Sequence, residues 1–293
     1  MDSVVAVRAA AELVAVGSGA PGVLARPWPL LTGDTPVAYL SESERHRMDS
    51  EKQKLVNELV ERLRAAAGNN LLSVILYGSA AAGDYVSDHS DVNLLCVLGD
   101  ASFSSIQALA PAVGWWEKKK HRAPLLLSAE EVRRSADVFS IEFLDMRRHY
   151  RLLWGDDVLK ALGIPMRLHR AQLEYELREK TILLRQRLLM VSGGSNKDDA
   201  KWELLLHSLP AFGTLFRHAL IALGDAEVGS KREAAAALAS KLGIDASVFG
   251  ELLDIRERKK DGKTVKVDEI FARYLKLVEQ VTAAVDKMLD PAA

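Results

Sequence analysis

The sequence predicts an α+β protein, a mixed β-sheet domain flanked by helices and followed by an all-α helical bundle. Three observations carry this expectation. Short apolar runs rich in strand formers alternate with amphipathic segments up to about residue 160. Past Gly155 every apolar stripe has helical spacing. Gly and Pro gather in the stretch from Gly17 to Pro36, which supplies turns and little periodicity. The expected organisation is an N-terminal arm over residues 1–40, an α/β domain over 41–160 and a bundle over 161–293. A chain of 293 residues agrees with about two domains at roughly 150 residues each.

Each element follows in order. Residues 3–16 read as a short helix rich in Ala and Val, packed on the body as part of the arm. From Ser41 to Ala67, Leu55, Leu59 and Leu63 recur every fourth residue among charged neighbours, the mark of an amphipathic helix stopped near Gly68. Leu71 to Tyr77 is an apolar run ended by Gly78, and Val92 to Leu98 is a second, with Asn93 its one strongly polar position. Leu125 to Leu127 predicts a third strand and Val138 to Met146 a fourth. Between them Ser128 and Glu131 have capping-box spacing, which starts a short helix through Arg134. In the bundle, Leu173, Leu177, Leu184 and Leu188 make one seam, and Ile270, Tyr274, Leu277, Val281, Ala284 and Met288 another.

Charge narrows the function classes. The 39 basic and 40 acidic side chains leave a net charge of −1, so no global field draws the chain to bulk nucleic acid or an anionic membrane. No apolar run approaches the roughly 20 residues that span a bilayer, and the first residues lack a basic leader. Cys96 is the only cysteine, which excludes an intrachain disulfide and fits a cytoplasmic setting. It reads as a small buried hydrophobe, and Trp115 and Trp116 as packing residues. Glu203 and His207, four apart on a helix, lack a third ligand and read as a surface pair.

The chemistry concentrates between Ile75 and Leu95. A strand delivers the Gly78-Ser79 turn, small residues follow, then an Asp-rich loop holding Asp84, Asp88, His89 and Asp91, then the second strand. Glycine lets backbone approach a ligand closely, and a serine hydroxyl offers a donor to phosphate. Positions 91 and 93 are two apart on a strand, so their side chains share a face where oxygens can grip a hard cation. No Lys or Arg lies between Arg64 and Lys118. A triphosphate therefore needs bridging cations or positive groups from elsewhere, with Lys118 to Lys120, or Arg178, Lys180, Arg185 and Arg187, as candidates.

This segment resembles the signature of the nucleotidyltransferase superfamily of DNA polymerase β type, in its bacterial minimal and aminoglycoside-type members. That signature is a Gly-Gly or Gly-Ser turn, roughly nine to thirteen residues, then an acid, a hydrophobic residue and a second acid. Gly78 and Ser79 fill the turn, Ala80 through Ser90 intervene, Asp91 is the first acid, and Val92 and Leu94 take the hydrophobic slots. Asn93 stands at the second acid, which removes one negative charge, and Ala82 stands where many bacterial relatives carry an arginine. A third carboxylate on a later strand is matched by Glu142 in Phe139-Ser-Ile-Glu-Phe. The resemblance implies Mg2+ or Mn2+ held by Asp91, Asn93 and Glu142, a phosphate contact from Gly78 and Ser79, and catalysis by Asp91 and Glu142. It implies transfer of a nucleoside monophosphate from a nucleoside triphosphate to a hydroxyl on a small molecule or protein. The alternative is a degenerate relative that binds nucleotide or a protein without transfer, and Asn93 is the residue that separates the two.

Overall fold

The computed structural model describes residues 42–82, 92–225 and 229–288. The arm expected over residues 1–40, with its helix at 3–16, lies outside the described residues. Helix α1 (Glu42–Ala67) buries Val56, Leu59, Val60 and Leu63, one stripe at spacings of three and four. It ends where Gly68 takes a φ of 54° and a single 3-10 turn, Gly68–Asn70, leads into the sheet.

The sheet has four strands, β1 (Leu71–Tyr77), β2 (Asn93–Leu98), β3 (Leu125–Ser128) and β4 (Tyr150–Gly155), in the order β3-β2-β1-β4. β1 runs antiparallel to β2 and to β4, while β2 and β3 are parallel. Both faces are covered, which explains the near-continuous apolar runs of the central strands. Val74, Leu76, Leu94, Cys96 and Leu98 pack toward α1 and toward α3 (Phe103–Lys118), which contributes Leu109, Ala112 and Trp116. Ile75, Leu95 and Val97 face the other way, as the period of two requires. There they meet Val132 of the short helix α4 (Ala129–Arg134). Ser128 and Glu131 form the capping box the sequence predicts, with bonds of 3.1 and 2.7 Å. Burial pushes the Cys96 thiol up to about 12, so it packs as a hydrophobe.

The fourth strand is not where the sequence predicts it. Residues 138–146 contribute instead to helix α5 (Ser140–Arg148), and the strand β4 follows it. The reason is that α5 is sandwiched. Phe143 and Met146 pack toward the sheet, Ile141 joins the core of the helical part, and Glu142 and Asp145 are drawn toward the next helices. A helix buried on several sides shows no single apolar stripe, and the alternation of Phe139, Ile141 and Phe143 then mimics a strand.

The helical part holds α6 (His169–Ser192), α7 (Lys197–Ala222), α8 (Lys231–Leu242), α9 (Ser247–Arg256) and α10 (Val267–Lys287). α7 is its centre, lined by Leu205, Leu209, Phe212, Phe216 and Leu220, with contacts to the other four helices. By length and composition it also meets the criterion for a membrane-crossing helix, and most of that apolar window is buried inside the protein. α10 buries Ile270, Tyr274, Leu277 and Val281 as expected, then Val285 where the sequence pattern pointed to Ala284. A straight helix drifts from a 3.5-residue repeat toward 3.6, which moves the buried position by one.

β4 carries a bulge, since Val74 pairs with Trp154 and Ile75 with Leu152. It ends at Gly155, whose φ is 79° and where a Cβ would lie 2.0 Å from the carbonyl oxygen of Leu72. Both the left-handed backbone and the contact demand glycine. Gly155→Ala is expected to lower the unfolding free energy by at least about 2 kcal/mol, read from the urea midpoint with an unchanged slope; an unchanged midpoint would refute this account of the sheet edge.

Candidate nucleotide site and the seam beside it

β1 delivers Gly78 in a left-handed conformation, φ 79°. Its N–H donates to the carbonyl oxygen of His149 at 3.0 Å, and a Cβ there would lie 3.3 Å from Nδ2 of Asn93. Asn93 opens β2 opposite Tyr77 and is half-buried. Ser79 starts a single helical turn, α2 (Ser79–Ala82). Gly78 and Asn93 are thus neighbours at one end of the sheet, as the sequence pattern requires. Asp91, with Asp84, Asp88 and His89, lies outside the described residues, as does the side chain of Ser79. β3, the strand beside β2, reads Leu-Leu-Leu-Ser and carries no acid.

Glu142 is not on a strand. It sits in the first turn of α5, where its Oε2 accepts from Gln172 Nε2 of α6 at 2.6 Å. Gln172 Oε1 in turn accepts from the backbone N–H of Ile141 at 3.1 Å and from Ser140 Oγ at 3.0 Å. Burial raises the Glu142 carboxyl above its ordinary range, with Glu176 adding to the effect and the Gln172 bond opposing it. One turn on, the carboxylate of Asp145 accepts from Arg217 Nη2 and lies 3.0 Å from His218 Nε2, both on α7. Burial alone would raise this group, but His218 and Arg217 outweigh it and hold Asp145 below the usual carboxylate range. Ser140 Oγ also lies 2.9 Å from His169 Nδ1. α5 is therefore the polar seam that joins the sheet-bearing part to the helical part.

Positive charge gathers at the end of that seam. Arg148 Nη2 donates to the Gly229 carbonyl oxygen at 2.7 Å, and its Nε lies 3.1 Å from His149 Nε2. Lys231 is the first residue of α8, placed there by the capping box of Ser230 and Glu233, and its stem lies over Gly213, where a Cβ would come within 2.9 Å of Lys231 Cδ. Burial, then Arg217 and Arg256, lower the Lys231 ammonium to about 8, with Asp145 opposing. The backbone carbonyl of His149 also accepts the Gly78 N–H, so the Gly-Ser turn is bonded to the residue that follows Arg148.

Of the cations expected from the sequence, three are engaged in ion pairs, and Arg187 is exposed on α6. Arg178 pairs with Glu174 and Asp286, Arg185 with Glu279, and Lys180 with Glu176, while Lys118 to Lys120 are exposed at the end of α3. His207 Nδ1 bonds the carbonyl oxygen of Glu203 at 2.9 Å. Sequence reading missed Arg148, Arg217 and Lys231. A signal for Arg217 existed, because the pair Arg217-His218 interrupts the apolar run from Phe212 to Leu223, and a buried charge needs a partner.

Asp145→Asn leaves the Arg217 guanidinium buried without its counter-charge. It is expected to cost roughly 3 kcal/mol, measured by denaturant unfolding; a loss within error of zero would show that the pair adds nothing at this seam.

No protein-family model matches this chain, and no curated protein matches it. Among solved structures, the spectinomycin adenyltransferase AAD(9) from Enterococcus faecialis, determined with ATP and spectinomycin, aligns with a TM-score of 0.46. The identity is 15%, over 78% of this chain and 98% of that chain. A likeness this distant decides neither fold nor function for this protein.

Proposed function

We propose that the chain binds a nucleoside triphosphate with a divalent cation at the Gly78–Asn93 end of the sheet and moves its nucleoside monophosphate to a hydroxyl of a small molecule. The observation that supports this most is the bond from the Gly78 N–H to the His149 carbonyl, which sets a phosphate-type turn beside the residue whose ring Arg148 contacts. In this reading Gly78 leaves the backbone open to a phosphate oxygen and Ser79 supplies a hydroxyl donor. The donor set fits a hard cation, since Asp91 offers a carboxylate and Asn93 an amide oxygen, both ligand types that magnesium or manganese accepts. When bound, such a cation neutralises charge developing at the transferred phosphoryl group and acidifies the acceptor hydroxyl. Asn93 leaves a bound cation with one negative ligand fewer, so in this reading Asp91 is its main anionic anchor, and Arg148 and Lys231 offset part of the phosphate charge. A second reading keeps the nucleotide and omits transfer. It is favoured by the seat of Glu142, whose carboxylate is bound to Gln172 on a helix, away from the later strand that the motif calls for.

Thermal unfolding with each nucleoside triphosphate, with and without Mg2+ or Mn2+, tests both. A ligand at a hundredfold excess over its dissociation constant stabilises by about 2.7 kcal/mol. The metal-dependent shift is expected to disappear in Asp91→Ala and to need roughly tenfold more nucleotide in Lys231→Ala. Affinity is expected to fall as the pH rises through about 8, where Lys231 loses its charge. No shift with any pair refutes nucleotide binding, while a shift without pyrophosphate release across a panel of hydroxyl-bearing small molecules selects the second reading.

A further inference from the structure

His169 is the first residue of α6 and is 1% exposed, and His218 of α7 is fully buried, with ring centroids 5.1 Å apart. Each ring spends one nitrogen across the seam on α5. His169 Nδ1 meets Ser140 Oγ at 2.9 Å, and His218 Nε2 meets Asp145 Oδ1 at 3.0 Å. The other two nitrogens, His169 Nε2 and His218 Nδ1, are buried without a hydrogen-bond partner among the described residues.

The surroundings of His169 are set against a proton. Its own helix begins there, so the positive end of the α6 dipole faces it. From α7 it meets His218, whose charge opposes a proton on His169 while its backbone favours one to a lesser degree. The acids nearby are committed. Asp145 of α5 serves Arg217 and His218, and Glu142 of α5 serves Gln172, with Glu176 of α6 beside Lys180. Ser140, the direct partner of His169, is neutral.

We propose that His169 is an acid-sensitive latch between the sheet-bearing part and the helical part, which seats α6 on α5 while neutral and lets the seam open when protonated. Burial, then His218, hold the ring down at about 4 in the closed form, against about 6.5 for an exposed histidine. The open form binds a proton that the closed form refuses, so closure is favoured above about 6.5 and the preference is lost as the pH falls from there toward 4. Over that interval the open-to-closed ratio rises by roughly two orders of magnitude. The latch requires no nucleotide, so it stands or falls apart from the proposed activity.

The test is small-angle scattering of the full chain from about pH 7.5 to about pH 4.5. It is read alongside limited proteolysis of the connection between Gly155 and His169, and far-ultraviolet circular dichroism. Expected is a growing radius and faster cleavage below about pH 6.5 with unchanged helix content, absent from His169→Gln, whose amide can still bond Ser140. The same acid response in His169→Gln, no opening by about pH 4.5, or opening only with loss of helix would overturn the latch. Should His169→Gln not fold, the ring proton resonances of His169 in the natural chain decide instead. Their titration must share its midpoint with the change in radius, and a separate midpoint refutes the proposal.

Discussion

A carboxylate withdrawn from water is tolerated only where opposite charge and hydrogen-bond donors replace the solvent, and Asp145 is met by both at once. Arg217 and His218, adjacent on the central helix of the helical part, converge on its Oδ1. This one acceptor ties α5, and through α5 the sheet, to α7. The rest of the seam is arranged around it. Gln172 reads the backbone and both polar side chains at the start of α5, and Arg148 reaches Gly229 at the other end. These bonds are directional, so they set the relative placement of the two parts more narrowly than apolar contact does.

The same charges colour the candidate site. Arg217 neutralises Asp145, yet its field also acts on Arg148 and Lys231, so the end of the seam nearest the Gly78 turn is rich in positive charge. No Lys or Arg lies between Arg64 and Lys118, so the proposed nucleotide site depends on cations from another part of the chain. Asn93, one charge poorer than an acid, belongs to the same balance.

Much of the sheet was legible because its strands obey a local rule. Val74, Leu76, Leu94 and Cys96 against Ile75, Leu95 and Val97 sort by the period of two, and each run stops at a residue that leaves the strand. The capping box at Ser128 is local as well. α5 was misread because its environment is not local. A helix pressed by the sheet on one side and by two helices on another loses the stripe by which helices are recognised, and Glu142 went with it from a supposed strand to the seam.

What the sequence determined by itself is therefore whatever depends on near neighbours in the chain. That includes the placing of β1 to β3, the stripes of α1, α6 and α10, and the Gly78-Ser79 turn followed by Asp91 and Asn93. Tertiary structure alone decided which charges meet across elements. Asp145 and Arg217 are bonded across 72 positions of sequence, and Arg148 and Gly229 across 81. The physical reason is that periodicity records which way a side chain points from its own element, while a charge pair between elements depends on how they dock, and no spacing along the chain encodes that.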